Sequence, residues 1–490
     1  MHKPRGWGCV LPEVRVGKGR GWRFMMRSIS QHAVVHDSSY NACFVVAGKA
    51  SLVRKVLQSC SLDTKPLKSK GFLSGHKACA VHLGDRDNRV ICPALVYRVT
   101  GTKGSGVSEA HVWVHPRVKD SAMGCLKRNC PTSDVDVTSS DAHARVEIVG
   151  TKALEVVQKL APSLDGEHEL RGIRRLVLPD PRAAAWDLKL DLEHMDGPTD
   201  VAPSQAEFDA SRQASRELAL EQPWVENCAV GVKSYAATLI NRGPVAMDGY
   251  TLIVPTSWIR PLWLGLNRTG ARAAGVTEWS WCALRFKRPV FPDDYLDTVA
   301  GADRRRELIS DAEILAGLKS DPNVKSKPKG KISACLKALA TREKTTDVKS
   351  VLRDKGEIAS TTNEGDAVRV TLRCPWSGQP SFGSTVHVPT QAQYDAWIGK
   401  KDKTRPRRDD PSLAGQLGAP IGYVTSASPS PAAVGLASAL VRVSAIRSIA
   451  DAFKKGKTEV FVMLSPPGKP PVPAVATVVV DEKVFDDPWW

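Results

Sequence analysis

Three carboxylates crowd the segment Phe291-Pro292-Asp293-Asp294-Tyr295-Leu296-Asp297. Such a set could hold the divalent cation that a metal-dependent nuclease requires. Beside a proline, the same acids also suit an Asx-type turn that pairs with neighbouring arginines, and this structural role is the one expected here. His32 with His36, and His111 with His115, are spaced so that a strand would carry each pair on one face. Neither pair has a third ligand at a useful spacing, so ordinary sheet histidines are expected and no metal site is assigned. The motifs GxSxG, HExxH and the P-loop are absent, and so is any CxxC pair. The eleven cysteines are irregularly scattered, which argues against a disulfide framework and for a reducing compartment. No residue is assigned a catalytic role.

A different chemistry is written more strongly. Residues 249–301 contain Trp258, Trp263, Trp279 and Trp281 together with five arginines and one lysine. Aromatic surface interleaved with fixed positive charge stacks on bases and holds phosphates. Near the N-terminus, Lys3, Arg5, Lys18, Arg20, Arg23 and Arg27 are threaded with Trp7, Trp22 and Phe24. Arginine suits phosphate because its planar fork bonds two oxygens at once. Arg182 follows the turn Asp180-Pro181 and is expected to reach phosphate. The whole chain has 69 Lys+Arg against 52 Asp+Glu, a net charge of +17 and a pI near 9.4. That excess points to a polyanionic partner. No apolar run is long enough for a membrane span, and the first residues lack the apolar core of a secretory signal. The lysine-rich runs at 325–331 and 400–408 suit nuclear import or solvated loops.

The elements that position these residues alternate between strand and helix periodicity. Strands are expected at Asn41–Gly48, Ala110–Pro116, Ala144–Gly150 and Ile173–Arg182, and helices at Ser51–Cys60 and just after Gly150. A helix is expected around 205–221, strands at Ile421–Ser426 and Ala476–Val480, and further strands at ALVRVSAI and EVFVMLSPP. This gives an α+β, multidomain chain of mixed sheets with flanking helices. The expected divisions are a basic arm at 1–40, an α+β domain at 41–190, a linker with a helix at 191–240 and a central block at 241–302. A charged helical segment at 303–365 and a second α+β domain at 366–490 follow.

Four blocks resemble one family, the largest protein subunit of eukaryotic nuclear ribonuclease P and ribonuclease MRP. The first carries Trp7-Gly8, the basic residues Lys18, Arg23 and Arg27, and Asp37-Ser38-Ser39-Tyr40. The second runs from His115-Pro116 through the strand–Gly–helix of Ala144–Leu160 to Asp180-Pro181-Arg182. The third is similar to the family's central POPLD region, with Leu252–Pro255, Trp258 and Trp263, Gly270–Gly275 and Phe291–Gly301. The fourth is Ile421–Ile446. Two departures stand out. This chain starts almost inside the first block, where family members carry a long basic segment. The family's Trp-Gly-Met is here Trp258-Ile259-Arg260, without the glycine.

The resemblance implies an RNA-binding scaffold in the nucleus and nucleolus, supporting removal of tRNA 5′ leaders and rRNA processing. Catalysis would belong to the RNA subunit and its magnesium, with no cofactor in the protein. The implied partners are the structured RNase P/MRP RNA, other protein subunits including Alba-type small proteins, and precursor tRNA through the holoenzyme. Expected RNA contacts are the six N-terminal cations, Arg182, Arg260, Arg268 and Arg272. Trp7, Trp22, Trp258 and Trp263 either stack on bases or fill the core. Phe291, Pro292, Asp294, Tyr295 and Asp297 form a structural or partner-docking turn. The family partly resembles the glycine-cleavage T-protein fold, which supplies a rival reading as a folate-dependent aminomethyltransferase. A stand-alone metal-dependent ribonuclease is the other alternative.

Overall fold

The computed structural model describes residues 21–87, 89–99, 107–130, 134–161, 164, 172–182, 197–221, 233–242, 249–286, 288–295 and 298–307. It further describes 367–374, 380–381, 383–398, 417–418, 420–428, 435–442, 445, 459–466 and 471–478. In chain order the elements are α1 (Trp22–Gln31), β1 (Val34–Asp37), β2 (Ala42–Lys49), α2 (Ala50–Cys60), α3 (Lys70–Leu73), β3 (Cys79–Gly84), β4 (Val90–Val99) and β5 (Val107–Val114). Then come α4 (Lys119–Arg128), β6 (Val135–Ser140), β7 (His143–Val149), α5 (Ala153–Leu160), β8 (Ile173–Pro179), α6 (Gln205–Glu221), β9 (Ser234–Asn241) and β10 (Gly249–Pro255). They are followed by α7 (Ile259–Arg268), β11 (Arg272–Ala274), α8 (Val276–Arg285), β12 (Ala367–Cys374), β13 (Thr385–His387) and α9 (Gln391–Ile398). The last strands are β14 (Pro420–Ala427), β15 (Gly435–Arg442), β16 (Glu459–Ser465) and β17 (Val472–Val478). The chain divides into two compact units, Met1–Asn88 with Cys92–Trp279 and Arg89–Ile91 with Ser280–Trp490.

The first unit holds two sheets. One has five strands in the order β3-β4-β5-β2-β6, and the other has six in the order β11-β1-β7-β10-β9-β8. In the second, β1 pairs with β11 in parallel, and the other neighbours are antiparallel. β10, Gly249–Pro255, is buried at every position. Its near-continuous apolar run suits a strand covered on both faces. β7 alternates: Ala144, Val146 and Ile148 enter an apolar core with Val156, Val157 and Leu160 of α5 and with Leu262 and Leu266 of α7. The opposite face of β7 carries Arg145 and Glu147, both 1% exposed.

Two places in this unit depend on close approach. Thr151 and Lys152 donate their backbone N–H groups to the carbonyls of Ile29 and His32, both at 3.1 Å. These bonds tie α1 to the end of β7. Between them Gly150 sits at φ +125°, and a Cβ there would lie 2.4 Å from the His32 carbonyl oxygen. Only glycine fits that turn without moving backbone. Likewise Gly265 of α7 rests on Pro181, where a Cβ would meet Pro181 atoms at 2.6 Å.

The structure corrects two divisions expected from sequence. Residues 21–40 are not an arm: Trp22, Met25 and Ile29 are buried along one side of α1, and β1 lies within the six-stranded sheet. Apolar residues at the spacing of one helical face cannot stay in solvent while a sheet face is available to them. Nor is 241–302 a separate block. β10 pairs with β7 and β9, so the segment up to Trp279 completes the first unit's sheet. Of the expected helical segment 303–365, residues 303–307 are helical and 308–365 lie outside the described residues.

The second unit contains a closed barrel in the order β12-β15-β14-β13-β16-β17. Its interior is filled by Val370, Leu372, Val386, Val424, Ala439, Val441, Val462, Leu464, Ala474 and Ala476. The alternation along β12, β15 and β16 is the period that one inward face demands. Among the described residues, no helix is long and apolar enough to cross a membrane.

Trp258 is fully buried, stacks on Tyr235 with ring centroids 4.5 Å apart, and donates its indole N–H to the Thr199 carbonyl at 2.8 Å. Trp258→Ala is therefore expected to cost about 3–5 kcal/mol. Urea denaturation of the purified chain would show this as a lowered midpoint, and an unchanged midpoint would remove Trp258 from the core.

Candidate nucleic-acid interface

The residues that could meet RNA are positioned by the faces opposite them. On α1, burial of Trp22, Met25 and Ile29 turns Arg23 and Arg27 outward, one helical turn apart. On α7, burial of Pro261, Leu262, Gly265 and Leu266 turns Arg260, Leu264 and Arg268 outward, with Trp263 half-buried beside them. Arg272 lies in β11 at the sheet edge, exposed, and its backbone N–H bonds the Ala33 carbonyl at 2.8 Å. The helices α1 and α7 thus lead into two adjacent parallel strands, β1 and β11. Arg23, Arg27, Arg260 and Arg272 have no carboxylate partner among the described residues. Arg268 donates to the Arg182 carbonyl at 2.9 Å.

Several expected site residues take other places. Arg182 is 4% exposed and is not available to phosphate. Its guanidinium pairs with Asp180 at 2.6 Å, donates to Gln205 and the Pro203 carbonyl, and lies 4.2 Å over the Phe208 ring. A cation with this many protein partners would have to break them to reach solvent, so the Asp180-Pro181-Arg182 turn is a staple between α6 and α7. Trp22 and Trp258 are core residues, and Trp263 packs partly against the same core. The histidine pairs do not converge as ligands. His36 stacks on Trp279 at 4.9 Å while His32 is the exposed C-cap of α1. His111 bonds Tyr97 and Glu109, whereas His115 accepts from the Arg117 N–H. No group of three or more potential metal ligands occurs among the described residues. Lys3, Arg5, Trp7, Lys18, Arg20 and Asp297 lie outside the described residues.

The acidic turn belongs to the second unit and is a lock. Asp294 is 1% exposed. Its carboxylate accepts hydrogen bonds from the Val290 N–H at 2.8 Å, the Thr425 hydroxyl at 2.6 Å and the Ser426 hydroxyl at 2.9 Å. Burial pushes this carboxyl above its ordinary range, against the pull of those donors. Arg369 of β12 donates to the Asp294 carbonyl at 2.7 Å and lies 4.4 Å over the Tyr295 ring, which in turn contacts Phe291 at 5.3 Å. Asp293 pairs with Arg304 at 3.0 Å. The acids therefore hold barrel strands and arginines, with both Asp294 oxygens occupied by protein donors.

Beneath the first unit's exposed arginines runs a second charged network. Glu147 receives Arg145 at 2.5 Å, Arg242 at 3.2 Å and the Thr251 hydroxyl at 2.7 Å. Burial by itself would raise this carboxyl; the two guanidinium charges and the hydrogen bonds outweigh it and hold the group below its ordinary value.

Comparison with known proteins bears on this arrangement. Residues 249–325 match the POPLD (NUC188) domain, the stretch that supplies β10, α7, β11 and the Asp294 turn. The chain is 22% identical over 369 residues to ribonucleases P/MRP protein subunit popl-1 of Caenorhabditis elegans, covering 63% of this chain and 46% of the relative. It is also 22% identical over 403 residues to ribonucleases P/MRP protein subunit POP1 of Arabidopsis thaliana, covering 60% of this chain and 48% of the relative. The chain thus carries a match to the POPLD (NUC188) domain and is similar to these ribonuclease P/MRP protein subunits. It spans about half the length of the curated relatives it matches.

The fold of this chain is similar to that of the glycine cleavage system aminomethyltransferase T from Bartonella henselae. The TM-score is 0.51 at 12% identity, over 99% of this chain and 94% of the other. At that identity the likeness establishes the α+β fold, not the chemistry. The sequence did not point to Arg369, Arg304 or the Arg145–Glu147–Arg242 network. One signal was available: in HARVEIV the charged residues Arg145 and Glu147 alternate with apolar ones along a strand, so the two sets face opposite sides of the sheet.

Asp294→Ala leaves three donors without their acceptor and should cost about 3 kcal/mol, read as a drop in the second unit's thermal midpoint; Asp294→Asn, which keeps an acceptor oxygen, should cost less. Glu147→Gln strands two buried guanidinium groups and should cost about 3–5 kcal/mol near neutral pH. Because the Glu147 pKa is depressed in the fold, its contribution is fully present above the ordinary carboxylate value and is lost as pH falls through the depressed one. The gap between wild type and Glu147→Gln should therefore close on acidification, and a gap constant with pH would contradict the assignment.

Proposed function

We propose that the chain is an RNA-binding scaffold subunit of a ribonuclease P/MRP ribonucleoprotein, supporting tRNA 5′-leader removal and rRNA processing. The observation that carries this reading is the set Arg23, Arg27, Arg260 and Arg272, exposed and without carboxylate partners among the described residues. Unneutralised guanidinium groups on outward helix faces and at a sheet edge suit backbone phosphates. The net charge of +17 supports the same partner. Half-buried Trp263, beside Arg260 and Arg268, offers a ring for an unpaired base. Recognition would be of RNA shape and backbone rather than base sequence.

On this reading the protein supplies binding and orientation, and the RNA subunit with its magnesium supplies the phosphodiester chemistry. The chain would work in the nucleus and nucleolus, beside other protein subunits such as Alba-type small proteins, and would meet precursor tRNA through the holoenzyme. The likeness to two ribonuclease P/MRP protein subunits supports a place in that endoribonuclease particle.

Purification of the tagged chain from its own cells, with sequencing of the co-purified RNA, tests the proposal. Enrichment of one or two structured non-coding RNAs, with precursor-tRNA cleavage in the eluate, is expected. Bulk RNA or none would overturn it. With the enriched RNA in hand, Arg23→Ala with Arg27→Ala should flatten the log–log salt dependence of binding by up to about 2, at roughly 0.7–0.9 per lost phosphate contact. An unchanged slope would remove these two residues from the interface.

A further inference from the structure

One flank of the five-stranded sheet is strongly cationic. Residues 50–78 hold six Lys and Arg side chains, Arg54, Lys55, Lys65, Lys68, Lys70 and Lys77, against one acid, Asp63. All six are exposed, and none has a carboxylate partner among the described residues. Asp63 accepts from the Lys65 backbone N–H at 2.9 Å.

The backbone beneath these side chains is braced. Leu67 and Phe72, both 0% exposed, anchor a 3-10 turn at Pro66–Lys68 and the short helix α3. The turn packs against α2, α3 and β3. Ser69 joins it to α3: its hydroxyl donates to the Pro66 carbonyl at 2.8 Å and accepts from the Phe72 N–H at 3.3 Å. Beyond α3 the chain folds back, and the His76 and Lys77 N–H groups bond the Gly71 carbonyl at 2.9 Å and 3.0 Å. Arg98 of β4 donates to the Leu73 carbonyl, and to the Ser108 hydroxyl at 2.7 Å. This fold-back brings Lys77 beside Lys68 and Lys70. The positive charge continues to the edge of the six-stranded sheet. There the His76 carbonyl accepts from the Ile173 N–H at 2.8 Å, and a Cβ on Gly172, at φ +67°, would lie 2.2 Å from the same oxygen. Arg174 and Arg175 of the edge strand β8 follow, both exposed.

The composition of this face selects among polyanions. Phe72 is the one Phe, Trp or Tyr of residues 50–78, and it is buried. An unpaired strand is held largely by stacking its bases on exposed rings. A base-paired stem turns its bases inward and presents phosphates. Lysines without rings suit the stem. A protein partner fits less well, because protein interfaces are depleted in Lys and enriched in aromatic residues. The α7 surface differs, since half-buried Trp263 accompanies its arginines.

We propose that the face formed by α2, the Pro66–Lys68 turn and α3, with Lys68, Lys70 and Lys77 at its centre, is a second RNA-binding surface that takes a base-paired stem. The inference rests on the scaffold reading only for the class of partner. The lysine ammonium groups meet phosphate oxygens and do not read base sequence.

The test uses the full chain and two probes: an RNA duplex of about 16 base pairs, and oligouridine of equal nucleotide number, which does not pair with itself. Wild type should bind the duplex. The triple variant Lys68→Gln, Lys70→Gln, Lys77→Gln should bind it roughly tenfold more weakly or worse, with the log–log salt slope flattened by about 2–3, at roughly 0.7–0.9 per lost contact. Its affinity for oligouridine should fall less, and its Tm should match wild type because the three side chains are exposed. Unchanged duplex affinity would overturn the proposal and leave the face to an acidic protein. Equal losses on both probes would reduce the effect to net charge and overturn it as well. If Arg23→Ala with Arg27→Ala weakens binding of the co-purified RNA while the lysine variant holds the duplex as wild type does, this surface alone fails. A wild-type chain that binds neither probe sinks both this surface and the RNA-binding reading.

Discussion

Glu147 is the constraint on which the first unit turns. It sits in β7 with Arg145 on the same face, and the apolar residues Val146 and Ile148 lie on the other. A one-residue slip of β7 would drive two charges into the core of α5 and α7 and expose the apolar set. The pairing of Thr251 opposite Glu147 across β7 and β10 sets the same register from the neighbouring strand. Buried charge of this kind adds little net stability, but the cost of misplacing it is high. The six-stranded sheet therefore has one admissible register, and the helices that expose the basic residues inherit their orientation from it.

The unpaired cations follow from that orientation rather than from any requirement of the fold. α1 must bury Trp22, Met25 and Ile29, and α7 must bury Leu262 and Leu266. What remains on the outer faces is under no packing demand, yet it includes arginines without a matching acid among the described residues. The arginines that the fold does use are recognisable by contrast. Arg145, Arg182 and Arg369 each have a carboxylate, carbonyl or ring within contact. Sorting guanidinium groups by partner separates those that hold the protein together from those left for a polyanion.

The acidic turn shows how one motif can be read correctly in type and incompletely in place. Proline and clustered acids pointed to a turn that pairs with arginines, and Asp293 with Arg304 is such a pair. Asp294 does something the local sequence does not contain. Its acceptors are satisfied by Thr425 and Ser426, more than a hundred residues away in β14. The likeness to the T-protein fold runs through both units, although the chemistry of that enzyme does not follow from the backbone it shares.

The sequence by itself determined the elements with clear periodicity: β2, α2, β7, α5, β8 and α6 lie where alternation and helical spacing put them. It also determined the charge excess and the aromatic-basic character of residues 249–301, because composition is a local property. Only the tertiary structure decided that α1 and β1 join the first unit, that β12 to β17 close into a barrel, and that Arg182 is a buried staple while Arg272 is exposed. The reason is the same in each case. Whether a side chain meets solvent, a carboxylate or a ring depends on segments far away in the chain, and no local spacing encodes which distant segment will cover it.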